Sequence, residues 1–345
     1  MKPSGPSKSG LPARLNLLAA VFLIAACSFT GCGPTYMEED IEDAIIDICK
    51  REYDIDVKVT TIGKTIAIYL PLHNLLDFTF TVTKESSEKI NDVLLSVTRV
   101  AISTNADFDF YCVIAHDVRL PEIQIVIVKS VEDVKRFLLS DVSRGDYSKR
   151  MLIDLRMNPQ AKKEKVITNV FDKMDLDDEW QEELLNDFFR SEPAGLGEIG
   201  YWNDRFFIKD VMLSEFIAEQ IASRLKLEFR EDKEISDKLM LKTADGKYVD
   251  KDGEQFFVLE ILAAARDFKD VDTDFSDIIF KNALKVAAYV IHAYKFEAFE
   301  YIDIENLKER RSLGVSRANL ELFRKKKINL DKLMKEKKYQ TEALF

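Results

Sequence analysis

The sequence predicts an α+β protein with antiparallel sheets and helices packed on one face, built from repeated helix-strand-strand units and richer in helix in its second half. Three observations carry this. From Tyr36 to about Leu155, helical and alternating apolar periods follow one another twice in the same order. The links inside each strand pair are a few residues long, whereas a parallel pair needs a crossover of about a dozen residues or more. Residues 160–307 then repeat the order more loosely.

In chain order, Ile41, Ala44, Ile45 and Ile48 recur at helical spacing and predict the first helix. Ile55, Val57 and Val59 alternate as one strand, and Ile66, Ile68 and Leu70 line a second, joined through Thr60 to Lys64. Ile90, Val93, Leu94, Val97 and Ala101 predict the next helix, with Ser86 or Ser87 as its N-cap. Strands Phe108 to Ile114 and Ile123 to Val128 follow, linked through His116 to Pro121; Ser130, with Asp133 three residues on, opens another helix. Asp178 to Arg190 reads as an acidic helical stretch, and Tyr201 to Phe207 as a turn and strand. Met212, Phe216 and Ile217 begin a helix that is expected to run into an alternating strand at Leu225, Leu227 and Phe229. Asp245-Gly246 has the composition of a hairpin turn. Phe257, Ile261, Leu262 and Ala265 predict one helix, Ile279, Ala283, Val286, Ala287 and Val290 another, and Phe296 to Ile304 a closing strand.

The N-terminus has a different logic. Lys2, Lys8 and Arg14 precede Leu15 to Ala26, a run whose one polar residue is Asn16. A basic start, a short apolar core and a small-residue end describe a secretory signal peptide, and the run falls short of the roughly 20 apolar residues that span a bilayer. Ile24-Ala25-Ala26-Cys27 and Phe29-Thr30-Gly31-Cys32 both resemble the lipobox of bacterial lipoproteins, a resemblance confined to the first 32 residues. It implies that one of the two, Cys27 or Cys32, is diacylated and cleaved to form the new N-terminus. Ile24 fits the box before Cys27, while Gly33-Pro34 after Cys32 supplies a natural tether. In such lipoproteins Asp after the lipidated Cys retains the protein at the inner membrane; Ser28 and Gly33 stand there, which implies the outer membrane where two membranes are present. Two acyl chains at about 0.8 kcal/mol per buried methylene anchor a body stably without a spanning helix.

After this signal peptide (1–32), the length suggests more than one core. The expected units are an α+β domain at 33–158, a helix-rich α+β domain at 159–307 and a basic C-terminal tail at 308–345. All 61 acids lie after residue 37, so loss of the three leading basic residues leaves −14. Lys308 to Lys338 carries twelve Lys or Arg against four acids, a net of +8, and leaves −22 on the rest. Such asymmetry points to a tail that meets an acidic surface, which includes the protein's own.

The motifs that suggest chemistry fail in detail. Gly195, Gly197 and Gly200 have G-x-G-x-x-G spacing, but an acidic helical stretch precedes them and a turn follows, so the strand and helix of a dinucleotide site are missing. Asp270, Asp272 and Asp274 begin like a calcium loop, yet Phe275 and Lys281 occupy the Gly and Glu positions. Ser86 and Lys89 match S-x-x-K without the companion motifs of penicillin-recognising enzymes. His73, His116 and His292 have no ligand spacing. Glu260 is an acid inside apolar sequence, the setting of a raised pKa and a general acid, or equally of a helix edge facing water. Cys49 and Cys112 either pair in an oxidising compartment or stay buried as small hydrophobes.

The expectation is therefore a membrane-anchored lipoprotein, touching lipid through Cys27 or Cys32, with a non-catalytic binding or scaffolding body that meets an envelope protein or polymer. No cofactor, metal or nucleic acid is expected. The alternative is an envelope hydrolase, and a concavity gathering Glu260 or a His with other perturbed groups would favour it.

Overall fold

The computed structural model describes residues 35–335 apart from 175–179, 181–182, 186–188, 190–191 and 268–272. Helix α1 (Ile41–Tyr53) buries Ile41, Ile45, Ile48 and Cys49 and ends at Asp54, whose φ of 53° turns the chain away. Strands β1 (Lys58–Ile62) and β2 (Thr65–Leu72) pair antiparallel across Gly63, which adopts a φ of 54° at no steric cost. Helix α2 (Lys84–Ser103) is capped not by Ser86 or Ser87 but by Thr83, whose hydroxyl accepts from the Ser86 N–H at 3.2 Å. After it come β3 (Phe110–Asp117), β4 (Leu120–Ser130), α3 (Val131–Leu138), α4 (Arg144–Ser148), β5 (Leu152–Met157) and α5 (Pro159–Met174).

These strands form one sheet in the order β1-β2-β3-β4-β5. The two hairpins are antiparallel, as their short links require, but β2 and β3 are parallel because α2 carries the chain back across the sheet. One face packs Ile66, Ile68, Leu70, Tyr111 and Val113 against α1, α2 and the start of α3. The other face, through Phe110, Cys112, Ile114, Val126 and Val128, is covered by Leu196, Ile199, Tyr201, Val211 and Phe216 from the second half of the chain. Helices thus cover one face and a largely irregular segment covers the other.

That segment holds a short hairpin of β6 (Gly200–Trp202) and β7 (Arg205–Phe207), turned by Asn203 and Asp204 at φ of 47° and 59°. Helix α6 (Leu213–Glu231) and the single turn α7 (Lys233–Ser236) lead into β8 (Leu239–Lys251) and β9 (Glu254–Ala265). Helix α8 (Ser276–Ala293), β10 (Tyr301–Asn306), β11 (Arg311–Ser316), α9 (Arg317–Arg324) and α10 (Leu330–Lys335) complete the order. The second sheet runs β11-β10-β9-β8, with two antiparallel hairpins joined by one parallel pair, β9 and β10. Each sheet therefore contains a hairpin, a crossover helix and a second hairpin, preceded by a helix and followed by another, and the first sheet adds β5 antiparallel to β4.

Three expectations for the second half are corrected. Leu225, Leu227 and Phe229 lie in α6, because Phe216, Ile217, Ile221, Leu225 and Phe229 bury one helical face and Leu227 does not join them. Phe257, Ile261, Leu262 and Ala265 lie in β9, whose buried residues Phe257, Leu259, Ile261 and Ala263 have period two. Apolar residues on its other side disguised that alternation. Asp245-Gly246 is inside β8, and the turn falls at Asp252-Gly253, both at positive φ. Gly246 serves packing instead: a Cβ there would lie 2.0 Å from the Ala218 carbonyl oxygen of α6.

Residues expected to begin the basic tail are likewise structured. β11 pairs with β10, and Leu320 of α9 and Leu333 of α10 are buried in the second core.

Candidate functional site

The residues singled out in the sequence disperse. Cys27 and Cys32 lie outside the described residues, as do Asp270 and Asp272. Asp274 accepts from the Ser276 N–H at 2.8 Å at the start of α8 and pairs with Arg311, a helix-terminal role. Leu196–Glu198, between Gly195 and Gly200, is a single 3-10 turn, and a hairpin follows, so the glycines cradle no phosphate. A Cβ at Gly200 would sit 2.8 Å from Gln160 Oε1, so a side chain there would push the Gln160 and Gln124 amides aside. Ser86 is buried with its hydroxyl donating to the Asn74 carbonyl, and Lys89 pairs with Glu85 at 2.8 Å. His73 and His292 are exposed; His116 is buried, and burial holds its pKa below the usual imidazole range. Among the described residues no three His, Cys, Asp or Glu side chains gather as a metal site.

Cys49 and Cys112 are free thiols in different cores, Cys49 under the helices and Cys112 on the opposite face of the first sheet. The pairing alternative is therefore corrected to the buried one. Burial raises both thiols, that of Cys112 to about 12, so neither is a ready nucleophile.

Of the several concavities among the described residues, two bear most on function. The larger, about 830 Å³, lies between α8, α9 and α10. Lys281 and Lys285 come from one stripe of α8, Arg324, Lys326 and Lys327 from the end of α9 and the turn after it, and Lys332 from α10. Its floor is Ala288, Tyr289, Phe323, Ile328 and Leu330, and among the described residues no carboxylate lines it. Lys285 pairs with Glu228, and Arg324 with Glu321, whose carboxyl is held down at about 2 by Arg324 and Lys325. Among the described residues no carboxylate pairs with Lys281, Lys326 or Lys327. Local positive potential over an apolar floor is the chemistry of an anion-binding cleft.

The second concavity, about 780 Å³, lies on the face of the second sheet opposite the one that α6 and α8 pack against. Register places Asp245, Glu260, Glu305 and Ser312 in one row across the strands, and Lys247, Val258, Asp303 and Gly314 in the next. Glu260, read in sequence as the candidate acid, lies here on a strand and pairs with Lys247 at 2.9 Å. The more perturbed group is Asp303, 8 % exposed, with its Oδ1 buried and unpartnered. Burial and the charge of Glu305 raise its carboxyl to about 6. Alternation of Ile302 and Ile304 with Asp303 and Glu305 was the sequence signal for it, but the missing side chain of Gly314 beside it is visible only in the register.

A third surface is apolar. Edge strand β5 exposes Ile153, Leu155 and Met157, which stand beside Ile127, Ile125 and Ile123 of β4. Comparison with known proteins adds nothing to these surfaces: no family model, no curated protein and no solved structure matches the chain.

Proposed function

We propose that the protein is a lipid-anchored lipoprotein of the bacterial cell envelope whose body is a binding module, with the basic groove between α8, α9 and α10 as its ligand surface. The observation that carries the binding role is that groove, six cationic side chains from three elements above an apolar floor. The anchor rests on the apolar run Leu15 to Ala26 and the lipobox-like segments ending at Cys27 and Cys32. The apolar strip on β5 supports a scaffolding contact, since an exposed apolar edge strand is a template for another chain. Metabolic labelling with a fatty-acid analogue tests the anchor: the wild type is marked and Cys27→Ala with Cys32→Ala is not. Labelling of the double variant at wild-type level would refute it.

A second reading, an envelope hydrolase, is favoured by one feature. Asp303, near 6, stands beside Glu305 two residues along the same strand face, about 7 Å away by strand rise. A carboxyl with a raised pKa beside a second carboxyl group is the arrangement that hydrolytic acid–base pairs use. Turnover of chromogenic glycosides or esters that disappears in Asp303→Asn would establish it, and a fully inactive wild type would remove it.

A further inference from the structure

Half of the basic groove is not made of charge. Ala288 and Tyr289 follow Lys281 and Lys285 along the same stripe of α8, and Phe323, Ile328 and Leu330 close the floor from the other side. A hydrophilic polyanion would engage the rim cations and leave this floor in water. A ligand with an anionic head and an acyl chain engages both, with the lysines as mobile point donors to a phosphate and the floor burying methylenes. The cavity of about 830 Å³ is of the size that receives a head group and the first part of one chain.

Charge elsewhere argues for capture of single lipids over adsorption of the whole body. The part of the mature chain outside Lys308 to Lys338 carries −22, so an anionic bilayer repels it at longer range. Attraction by the groove decays within a Debye length of about 8–10 Å, and acts on a lipid head close enough to enter. A tether to the membrane would keep lipid at high effective concentration, so a weak site suffices.

We propose that the groove between α8, α9 and α10 holds the anionic head group and proximal acyl chain of a membrane phospholipid, a second lipid contact added to the N-terminal anchor. This rests on the reading of the groove as an anion-binding surface of a membrane-tethered protein.

The test uses the full-length chain in nanodiscs of phosphatidylcholine, with or without phosphatidylglycerol, and separately with inorganic tripolyphosphate. Acylation of Lys281, Lys326 and Lys327 by an amine reagent is read by mass spectrometry, as is cross-linking by phosphatidylglycerol or phosphatidylcholine carrying a photoreactive acyl chain. The expected result is protection of these lysines by phosphatidylglycerol, with chain cross-links on Tyr289, Phe323, Ile328 or Leu330 that photoreactive phosphatidylcholine does not give. Lys326→Glu with Lys327→Glu, both exposed positions, should cut cross-linking about fivefold per lysine. Leu330→Gln should weaken chain cross-links while leaving protection by tripolyphosphate intact. Protection by tripolyphosphate without protection by phosphatidylglycerol would overturn the lipid assignment and leave the anion-binding groove standing. Protection by neither would remove both.

Discussion

Asp133 Oδ1 and Arg150 Nη1 meet at 2.7 Å with side chains 4 % and 5 % exposed, the most deeply buried ion pair among the described residues. Tyr294, the residue that caps the C-terminus of α8 in the second half of the chain, donates to the other oxygen of Asp133 at 2.6 Å, and Gln220 of α6 donates to the Arg150 carbonyl at 2.7 Å. The Arg150 guanidinium lies 5.3 Å from the Tyr294 ring centre and also reaches Asp146. A charge pair at this depth is costly to halve, because the survivor stays buried without compensation. Asp133→Asn and Arg150→Met should each lower unfolding free energy by about 3–5 kcal/mol in urea titrations. Asp133→Leu with Arg150→Met and Tyr294→Phe should recover most of the loss. Single substitutions costing under about 1 kcal/mol would show that the network is not a structural bolt.

The same network shows where reading the chain succeeds and where it stops. Ser130 opens α3 as its sequence predicts, yet Asp133 leaves the expected capping box for Arg150 and Tyr294, partners that are distant in sequence. The first sheet was legible because Ile66, Ile68 and Leu70 keep the rhythm of a strand whose helix-covered face dominates. Strand β9 was not, because Phe256, Val258 and Leu262 on its other side erase the alternation of Phe257, Leu259 and Ile261. The basic groove was visible only as a charge surplus, since Lys281 and Lys327 converge by helix packing that no local pattern records.

Gly246 provides a test of that packing. Its neighbour is backbone, the Ala218 carbonyl, so a side chain there cannot be accommodated by a rotamer change. Gly246→Ala should force α6 away from β8 and destabilise by more than about 2 kcal/mol, at the upper end of overpacking costs. Ala substitution at Gly253, where space is open and φ is 86°, should cost only the backbone strain of about 1 kcal/mol. Equal thermal stabilities of the two variants would contradict this close approach.

Lys129 predicts an alkaline rise in stability. It is 7 % exposed on β4, with Nζ 4.8 Å from the Tyr147 ring centre and 5.7 Å from that of Tyr111. Burial lowers its pKa from 10.5 to about 8. Between those values the unfolded chain holds a proton that the folded chain has released, so stability increases as pH rises through the window. The amplitude attributable to Lys129 is about 3 kcal/mol, and Lys129→Met should raise stability at pH 7 and flatten the profile from 8 to 10.5. Identical slopes for both proteins across that window would show that the lysine is solvated.

Asp303 predicts the opposite slope at acid pH. Its carboxyl is raised from 3.8 to about 6, so between these values the folded chain keeps a proton that the unfolded chain has lost. Stability therefore falls as pH rises through the window and is lowest above it, where the buried carboxylate is ionised without a partner for Oδ1. Asp303→Asn should add up to about 3 kcal/mol at pH 7 and remove the decline between 3.8 and 6. Glu305→Gln removes the neighbouring charge that helps to raise Asp303, and should reduce the decline without abolishing it, because burial is the larger cause. Urea unfolding of the three proteins from pH 3.5 to 7.5 separates the two causes. A group retained at a cost in stability marks a functional position more than a structural one. An Asn variant that is no more stable than the wild type at pH 7 would return Asp303 to the ordinary solvated acids of the open sheet face.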